Sequence, residues 1–410
     1  ICVLIRQWWQ RILFRMHGIR SPWFVCLTIS YEKEKKRGET MAVAMLAFKM
    51  TLKKGDTAIQ NELLQRIKDR NMAPYYIEVC NFFEYMMDTS LYNEMKQMND
   101  SVIKQKQDEI ASKKENGSDD DVLDLLISLA HYYYEIGDKE NAISTYKSCL
   151  DYKMSNTLKM DLWMDILDVY LFHQSMAEYN EGIKTVKKMT DESGDWEHRN
   201  RLNIYLGVKL MIDGDFAKVA ELYSTAIPTF TSFSVFPFND LVKYAVITGI
   251  IHLSRPTLKS RLVEQSDVEM TLLEMPSLRS LLMSFDECRY HDFFVALLEL
   301  EPILKEDPYL RKHTSRLIEA LRLKAYQQFL DSFKSCTLQS MADSFGVSTA
   351  FINNELARFI SEGQIHARID RLNNTVETMS ITSLNSLYDQ VLSKGSVLMS
   401  HIQSVARTIE

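Results

Sequence analysis

TLQSMADSFGVSTAFINNELARFISEGQIHARIDRLNNTVET, residues 337–378, is the stretch whose periodicity decides how the chain ends. Thr337 is placed to cap a short helix, Leu338 to Phe345. Gly346, able to take the left-handed conformation that closes a helix, ends it. Ser348 caps a second helix that runs to about Glu362 and carries Phe351, Ile352, Leu356, Phe359 and Ile360 on one face. Ala342, Phe345, Gly346, Val347 and Ser348 then make a helix-turn-helix corner. Beyond it the period changes from 3.6 to two. Ile365, Ala367 and Ile369 point one way and His366, Arg368 and Asp370 the other, and Asn373-Asn374 turns the chain into Thr375 to Thr378. Two helices followed by a small two-stranded hairpin predict a winged helix over 331–380.

Working outward toward the C-terminus, Leu384, Val391, Leu398 and Val405 recur every seven residues, and Leu387, Ile402 and Ile409 widen the seam. This predicts a terminal helix, 381–410, that needs partners. Toward the N-terminus the signal is repetition. Leu126, Leu129-Ala130, Tyr133, Gly137, Ala142 and Tyr146 fall at the spacing of a tetratricopeptide (TPR)-type helix pair. A shift of 77 residues brings Leu206-Gly207, Leu210, Gly214-Asp215 and Tyr223 into register with them, with Val219 in place of Ala142. Trp163, Ile166-Leu167 and Tyr170 give a degenerate copy between the two. Each pair buries only part of its apolar face alone, so stacked pairs over 122–330 predict a right-handed TPR-like solenoid with an extended surface.

Residues 41–121 read as N-terminal helices. Ile59, Leu63, Leu64 and Ile67 recur at helical spacing, and Pro74 opens the next helix. Leu91, Met95, Met98 and Val102 form a narrow apolar stripe on a long charged one. The Asn116–Asp121 cluster ends it as a linker, with Asp119-Asp120-Asp121 read as a solvated helix start rather than a metal site. Residues 1–40 differ from everything else. They hold eight Lys or Arg against three acids, leaving −12 on the remaining 370 residues against −7 overall. The segment is poor in Ser and its Trp8, Trp9 and Trp23 have no helical face, so it reads as a disordered extension or mis-assigned gene start and is set apart from the fold.

With only 13 Gly and 8 Pro in 410 residues, the composition argues against phosphate-cradling loops and many tight turns, and the class is mostly α. Six scattered Cys without a C-x-x-C pair fit reduced, buried thiols. No apolar run reaches the roughly 18 residues needed to span a bilayer. The nine His are isolated, and no His-Glu-x-x-His, Gly-x-Ser-x-Gly or Walker pattern occurs, so no catalytic residue, metal ligand or cofactor is expected. Two local features read as structure: Phe233 to Phe238 as core at a repeat junction, and Trp196 as an indole packed within the charges of Asp195, Glu197, Arg199 and Arg201. A winged helix raises nucleic-acid binding, but Ser348–Glu362 has one base, Arg358, against Glu355 and Glu362, in an acidic body that repels a polyanion.

Four stretches carry a resemblance. Met72-Ala73-Pro74-Tyr75-Tyr76, Gly194-Asp195-Trp196-Glu197-His198-Arg199-Asn200-Arg201, Thr257-Leu258-Lys259-Ser260 and Leu338 to Glu377 resemble the non-ATPase subunit seven family of the 26S proteasome regulatory particle lid, over about 41–410. The resemblance implies that repeats and winged helix form a PCI module, that such modules pair side by side, and that C-terminal helices join one bundle. It further implies a non-catalytic scaffold in a hetero-oligomer with other PCI-domain subunits, cytoplasmic and nuclear, without specific nucleic acid or membrane. Alternatives are a PCI scaffold of the signalosome or of a translation initiation factor complex, and less so a winged-helix nucleic-acid binder. The residues expected to bind partners are Ile365, His366, Arg368, Asn373 and Val376 on the wing, whose two strands leave an unpaired edge, and Leu384, Leu387, Val391, Leu398, Ile402, Val405 and Ile409 on the last helix.

Overall fold

The structure is a computed structural model that describes residues 38–53, 56–83, 87–116, 119–193, 196–230, 234–379 and 384–409. They fall into two units: residues up to Arg279 together with Glu299–Ser315, and Ser280–Leu298 together with Arg316 onward. The atypical leader lies outside the described residues as far as 37. Its expected boundary at 40 shifts, because residues 38–52 form helix α1, whose Thr40 is buried and accepts a hydrogen bond from Arg70 at 2.8 Å.

The first unit is a succession of helices. After α1 come α2 (Thr57–Asp69), α3 (Ala73–Phe83), α4 (Thr89–Asn116), α5 (Asp119–Ile136), α6 (Lys139–Leu150), α7 (Asn156–Phe172), α8 (Met176–Ser193), α9 (Trp196–Asp213), α10 (Phe216–Ala226) and α11 (Phe238–His252). The short α12 (Arg255–Leu258) continues as a π turn over Lys259–Val263, and α13 (Ser266–Leu272) follows. The 77-residue repeat is visible atom by atom. Gly137 and Gly214 both have positive φ, 80° and 85°. The next N–H, Asp138 or Asp215, reaches back to Tyr133 O or Leu210 O at 2.9 Å. Each of these Asp then caps the following helix, accepting from Asn141 N or Lys218 N. That is the Schellman closure. Gln174 repeats it in the degenerate copy, with Ser175 N bonded to Tyr170 O.

Close approach explains the small residues. A Cβ at Gly207 would lie 2.1 Å from the Tyr223 ring, so only glycine admits that tyrosine. Tyr179, Tyr205, Tyr223 and Tyr244 are fully buried, and every hydroxyl finds an acceptor: Tyr205 O, Asp168 Oδ1, Ile204 O and Asp307 Oδ2 respectively. Burial pushes all four phenols well above their ordinary range. Asp307 is itself enclosed. It takes Lys243 Nζ at 2.6 Å, Tyr244 Oη at 2.9 Å and the backbone N–H groups of Tyr309 and Leu310.

Two core expectations are refined. Phe236 is buried and α11 begins directly after Pro237, while Phe233 lies outside the described residues. Met98 of the predicted α4 stripe is exposed, and Asn99 is buried in its place. Asn99 donates to Asn71 O and accepts from Tyr132 Oη, a polar contact that a pattern of apolar residues cannot reveal.

The second unit contains most of α14 (Pro276–Asp286), the first half of α15 (Tyr290–Glu306), nearly all of α16 (Thr314–Asp331), and then β1 (Ser335–Thr337), α17 (Leu338–Phe345), α18 (Thr349–Ser361), β2 (Ala367–Asp370), β3 (Thr375–Thr378) and α19 (Leu384–Ile409). Phe345 is central to its core, with the rings of Tyr290, Tyr326, Phe294 and Phe329 at centroid distances of 4.9 to 5.5 Å. Gly346 closes α17 at φ 66° and Ser348 caps α18 through Phe351 N. α18 is fixed by Glu355, which is buried and accepts from Arg322 at 2.8 Å and from Tyr326 Oη at 2.8 Å.

The expected two-stranded hairpin is corrected to a three-stranded antiparallel sheet in the order β1-β3-β2. Ser335–Thr337 is too short to show an alternating pattern, and Thr337 serves twice, as the last residue of β1 and as the cap of α17 through Ser340 N. β3 is therefore paired on both sides, and the sheet's outer edges belong to β2 and β1.

Candidate protein-interaction surfaces

The wing combines a fixed turn with an open edge. Asp370 accepts from Leu372 N at 2.9 Å and from Asn373 Nδ2 at 2.8 Å, and these bonds hold its carboxyl below the usual range. Asn374 takes the left-handed conformation, φ 50°, that completes the turn. Leu372 is thereby presented at the tip, 93% exposed.

In an antiparallel pair only alternate residues exchange bonds with the partner strand. His366 O accepts from Met379 N, and Ala367 is opposite Thr378. The bonded positions on β2 are thus 366, 368 and 370, and the N–H and C=O of Ala367 and Ile369 point to the outer edge, where no strand among the described residues pairs with them.

The predicted wing residues separate accordingly. His366, Arg368 and Asn373 are exposed, whereas Ile365 and Val376 are buried. For those two the partner-binding expectation is corrected. Ile365 follows the buried face of β2, and Val376 lies on the central strand with its side chain in the core, so both hold the wing in shape.

α19 is the largest candidate surface. Leu387, Val391, Leu398, Ile402 and Val405 are 52 to 62% exposed along one side of a 26-residue helix. Tyr388, Leu392 and Met399, which the seven-residue repeat did not include, are equally exposed beside them. At 100° per residue the apolar arc is about 140° wide, broader than the seam of a two-stranded coil and suited to a groove between helices. Leu384 and Ile409 lie at the helix ends, and their side chains fall outside the described ones.

Trp196 corrects another expectation. The indole is 62% exposed rather than packed. The inner stripe of α9 is His198, Leu202 and Tyr205, and Trp196 stands about 200° round the helix from His198. Two side chains in the same stretch reach across to α7: Arg201 and His198 contact Asp161 at 2.8 and 3.2 Å. Asp195 lies outside the described residues.

Arg358, the one base of α18, is paired with Glu319 at 2.5 Å. Among the described residues no His, Cys, Asp or Glu group has the makings of a metal site, and no helix is long and apolar enough to cross a membrane.

An α-helical repeat array and a winged helix are the parts of a PCI-class protein, and the family model for the PCI domain matches residues 297–379. The model described as 26S proteasome subunit RPN7 matches residues 88–261, which include the Gly194–Arg201 and Thr257–Ser260 stretches. A relative named 26S proteasome non-ATPase regulatory subunit 6 homolog, from Arabidopsis thaliana, is 34% identical over 352 residues, 86% of this chain and 91% of its own length. The 26S proteasome regulatory subunit RPN7 of Saccharomyces cerevisiae is 31% identical over 374 residues, covering 85% of this chain and 87% of its own length. COP9 signalosome complex subunit 1b of Drosophila melanogaster is more distant, 24% identical over 282 residues and matched over 53% of its length. The chain belongs to the family of 26S proteasome non-ATPase regulatory subunit 6, RPN7 in yeast.

Proposed function

We propose that this chain is a scaffold subunit of the lid of the 26S proteasome regulatory particle. It serves ubiquitin-dependent degradation in cytoplasm and nucleus by holding neighbouring PCI-domain subunits, without chemistry of its own. One observation carries the reading: a member of this family leaves the described side chains of an apolar arc, Leu387 to Val405 on a 26-residue helix, exposed to water. Burying each Leu, Val or Ile of that arc favours association by roughly 1.5 to 3 kcal/mol before ordering entropy is subtracted.

The sheet supplies a second kind of contact. The outer edge of β2 offers the backbone groups of Ala367 and Ile369, flanked by His366, Arg368 and Asn373. The outer edge of β1 offers those of Ser335 and Thr337. Unlike edges join head to tail with different neighbours, which suits a hetero-oligomer rather than a symmetric pair.

Affinity purification of the tagged full-length chain followed by native mass spectrometry tests the assignment. Recovery with proteasome ATPase subunits and ubiquitin conjugates supports it. Recovery with cullins would assign the chain to the signalosome instead, and recovery with small ribosomal subunits to an initiation factor complex. Tight, salt-sensitive DNA binding would revive the nucleic-acid reading.

A further inference from the structure

The division into two units cuts three helices: α14 between Arg279 and Ser280, α15 between Leu298 and Glu299, and α16 between Ser315 and Arg316. α14 begins at Pro276 and α16 at Thr314, so both are cut within or at the end of their first turn, where backbone N–H groups have no partner inside the helix. α15 is cut in its middle, where the ladder of bonds is normally complete. Here it is not. Pro302 stands inside the helix, has no N–H to give to the carbonyl of Leu298, and crowds that carbonyl with its ring. The lost bond spans the cut itself, and the Leu298 side chain beside it is 71% exposed. All three passages between the units thus run through backbone that the helix ladder does not brace.

The two halves of α15 are each fixed, but in different cores. In the first half Tyr290 and Phe294 pack on Phe345 of the second unit, at ring-centroid distances of 4.9 and 5.1 Å, and Gln328 donates to Phe285 O at the end of α14 at 3.2 Å. In the second half Leu300 and Leu304, which belong to the first unit, are buried. The residues after them are tied to that unit by Lys243 on Asp307 at 2.6 Å and by His313 Nε2 against Ile212 O at 3.2 Å. Two anchored halves joined by an unbraced turn are the ingredients of a hinge.

We infer that α15 is a hinge, bending at Leu298–Pro302 so that the angle between its two halves varies in the free chain. The inference stands apart from the scaffold reading, although it bears on the surfaces described above, because β2 and α19 both belong to the second unit and move with it. The competing account is a static kink, since proline bends a helix whether or not the bend varies. A kink that only fitted α15 into one core would have no reason to fall where the chain changes cores. Nor would it account for the other two helices being cut in turns that also lack the ladder.

The test uses the full-length chain with spin labels at two exposed positions, Lys187 in α8 and Glu362 just after α18, and reads the distribution of distances between them by pulsed electron–electron resonance. Parent, Pro302→Ala, Pro302→Gln and Pro256→Ala are compared. Pro256 is exposed in the short α12 of the first unit and serves as the control. The parent should give a broad or two-peaked distribution. Both replacements at 302 supply the N–H that Leu298 O lacks, and should narrow the distribution by about half and slow hydrogen exchange over residues 299–306 roughly tenfold. Pro256→Ala should match the parent. A single narrow distance in the parent would overturn the hinge in favour of a static kink. Equal breadth in the parent and both 302 variants, with exchange slowed as expected, would also overturn it, because the motion would not pass through that turn.

Discussion

Asp307 and Leu398 sit at opposite extremes of the same chain. Asp307 is a carboxylate with 2% of its side chain exposed, matched inside the first unit by Lys243, Tyr244 and two backbone N–H groups. Leu398 is an aliphatic side chain left 61% exposed on a helix whose neighbours along the arc are exposed with it. Each group would be costly in its surroundings without a partner. The repeat core supplies the partners of Asp307 from within the chain, whereas the side chain of Leu398 is left largely in water. The difference separates residues that hold the fold from residues that we propose are held in reserve for assembly, and it assigns opposite consequences to similar substitutions.

The largest effect is expected at the core. Asp307→Ala leaves the Lys243 ammonium enclosed with only Asp240 beside it, and should lower stability by about 3 to 5 kcal/mol in chemical denaturation. A loss below about 1 kcal/mol would show that the network is not the staple described.

Next comes a single substitution placed in both regions. Gly207→Ala drives a methyl group into the Tyr223 ring and should cost roughly 1 to 3 kcal/mol, whereas Gly395→Ala should firm its own helix by about 0.5 to 1 kcal/mol. The same sign in both would erase the contrast.

The sheet edge gives a finer version. Arg368→Pro removes a donor facing β3 and should destabilise the wing by roughly 1 to 3 kcal/mol. Ile369→Pro removes a donor facing outward, and its main effect should appear as weaker assembly, read by native electrophoresis.

The smallest effect is on pH dependence. Burial pushes the Cys149 thiol up from 9.0 to about 11. Over that interval the unfolded thiol has lost its proton while the folded one keeps it, so stability is whole below pH 9 and declines as pH rises toward 11. The buried tyrosines act in the same direction from higher pH. Cys149→Ala should flatten the first part of the decline in a series of denaturation midpoints.

How much of this was legible in the sequence depends on whether the chemistry of a position is local. Gly346 announced its helix closure because glycine is the usual residue at positive φ, and Gly137 and Gly214, read only as repeat positions, close their helices in the same way. Asn71, Gln174 and Cys288 adopt the same closure at φ 53°, 55° and 61°, with the same backward N–H bond, and carry no such mark. The capping residues Thr337 and Ser348 and the alternation of β2 were readable for the same local reason. β1 was not, because three residues cannot display a period and its pairing with β3 spans about forty residues of chain.

Among the candidate contact residues, the heptad identified one flank of α19 and missed Tyr388, Leu392 and Met399, since a seven-residue repeat selects a seam and not an arc. Val376 was misassigned because alternation gives two faces without saying which is covered. Trp196 was misassigned because an indole beside charges reads the same whether it is packed or exposed.

We propose that the exposed arc of α19 contributes to assembly and nothing to the fold. It is tested most directly by Leu398→Asp, with thermal unfolding of the isolated chain and its incorporation into the co-expressed lid measured on the same preparation. The account predicts an unfolding midpoint within experimental scatter of the parent together with a large loss of incorporated chain. Parental incorporation, or a midpoint lowered as far as a core substitution would lower it, would contradict it.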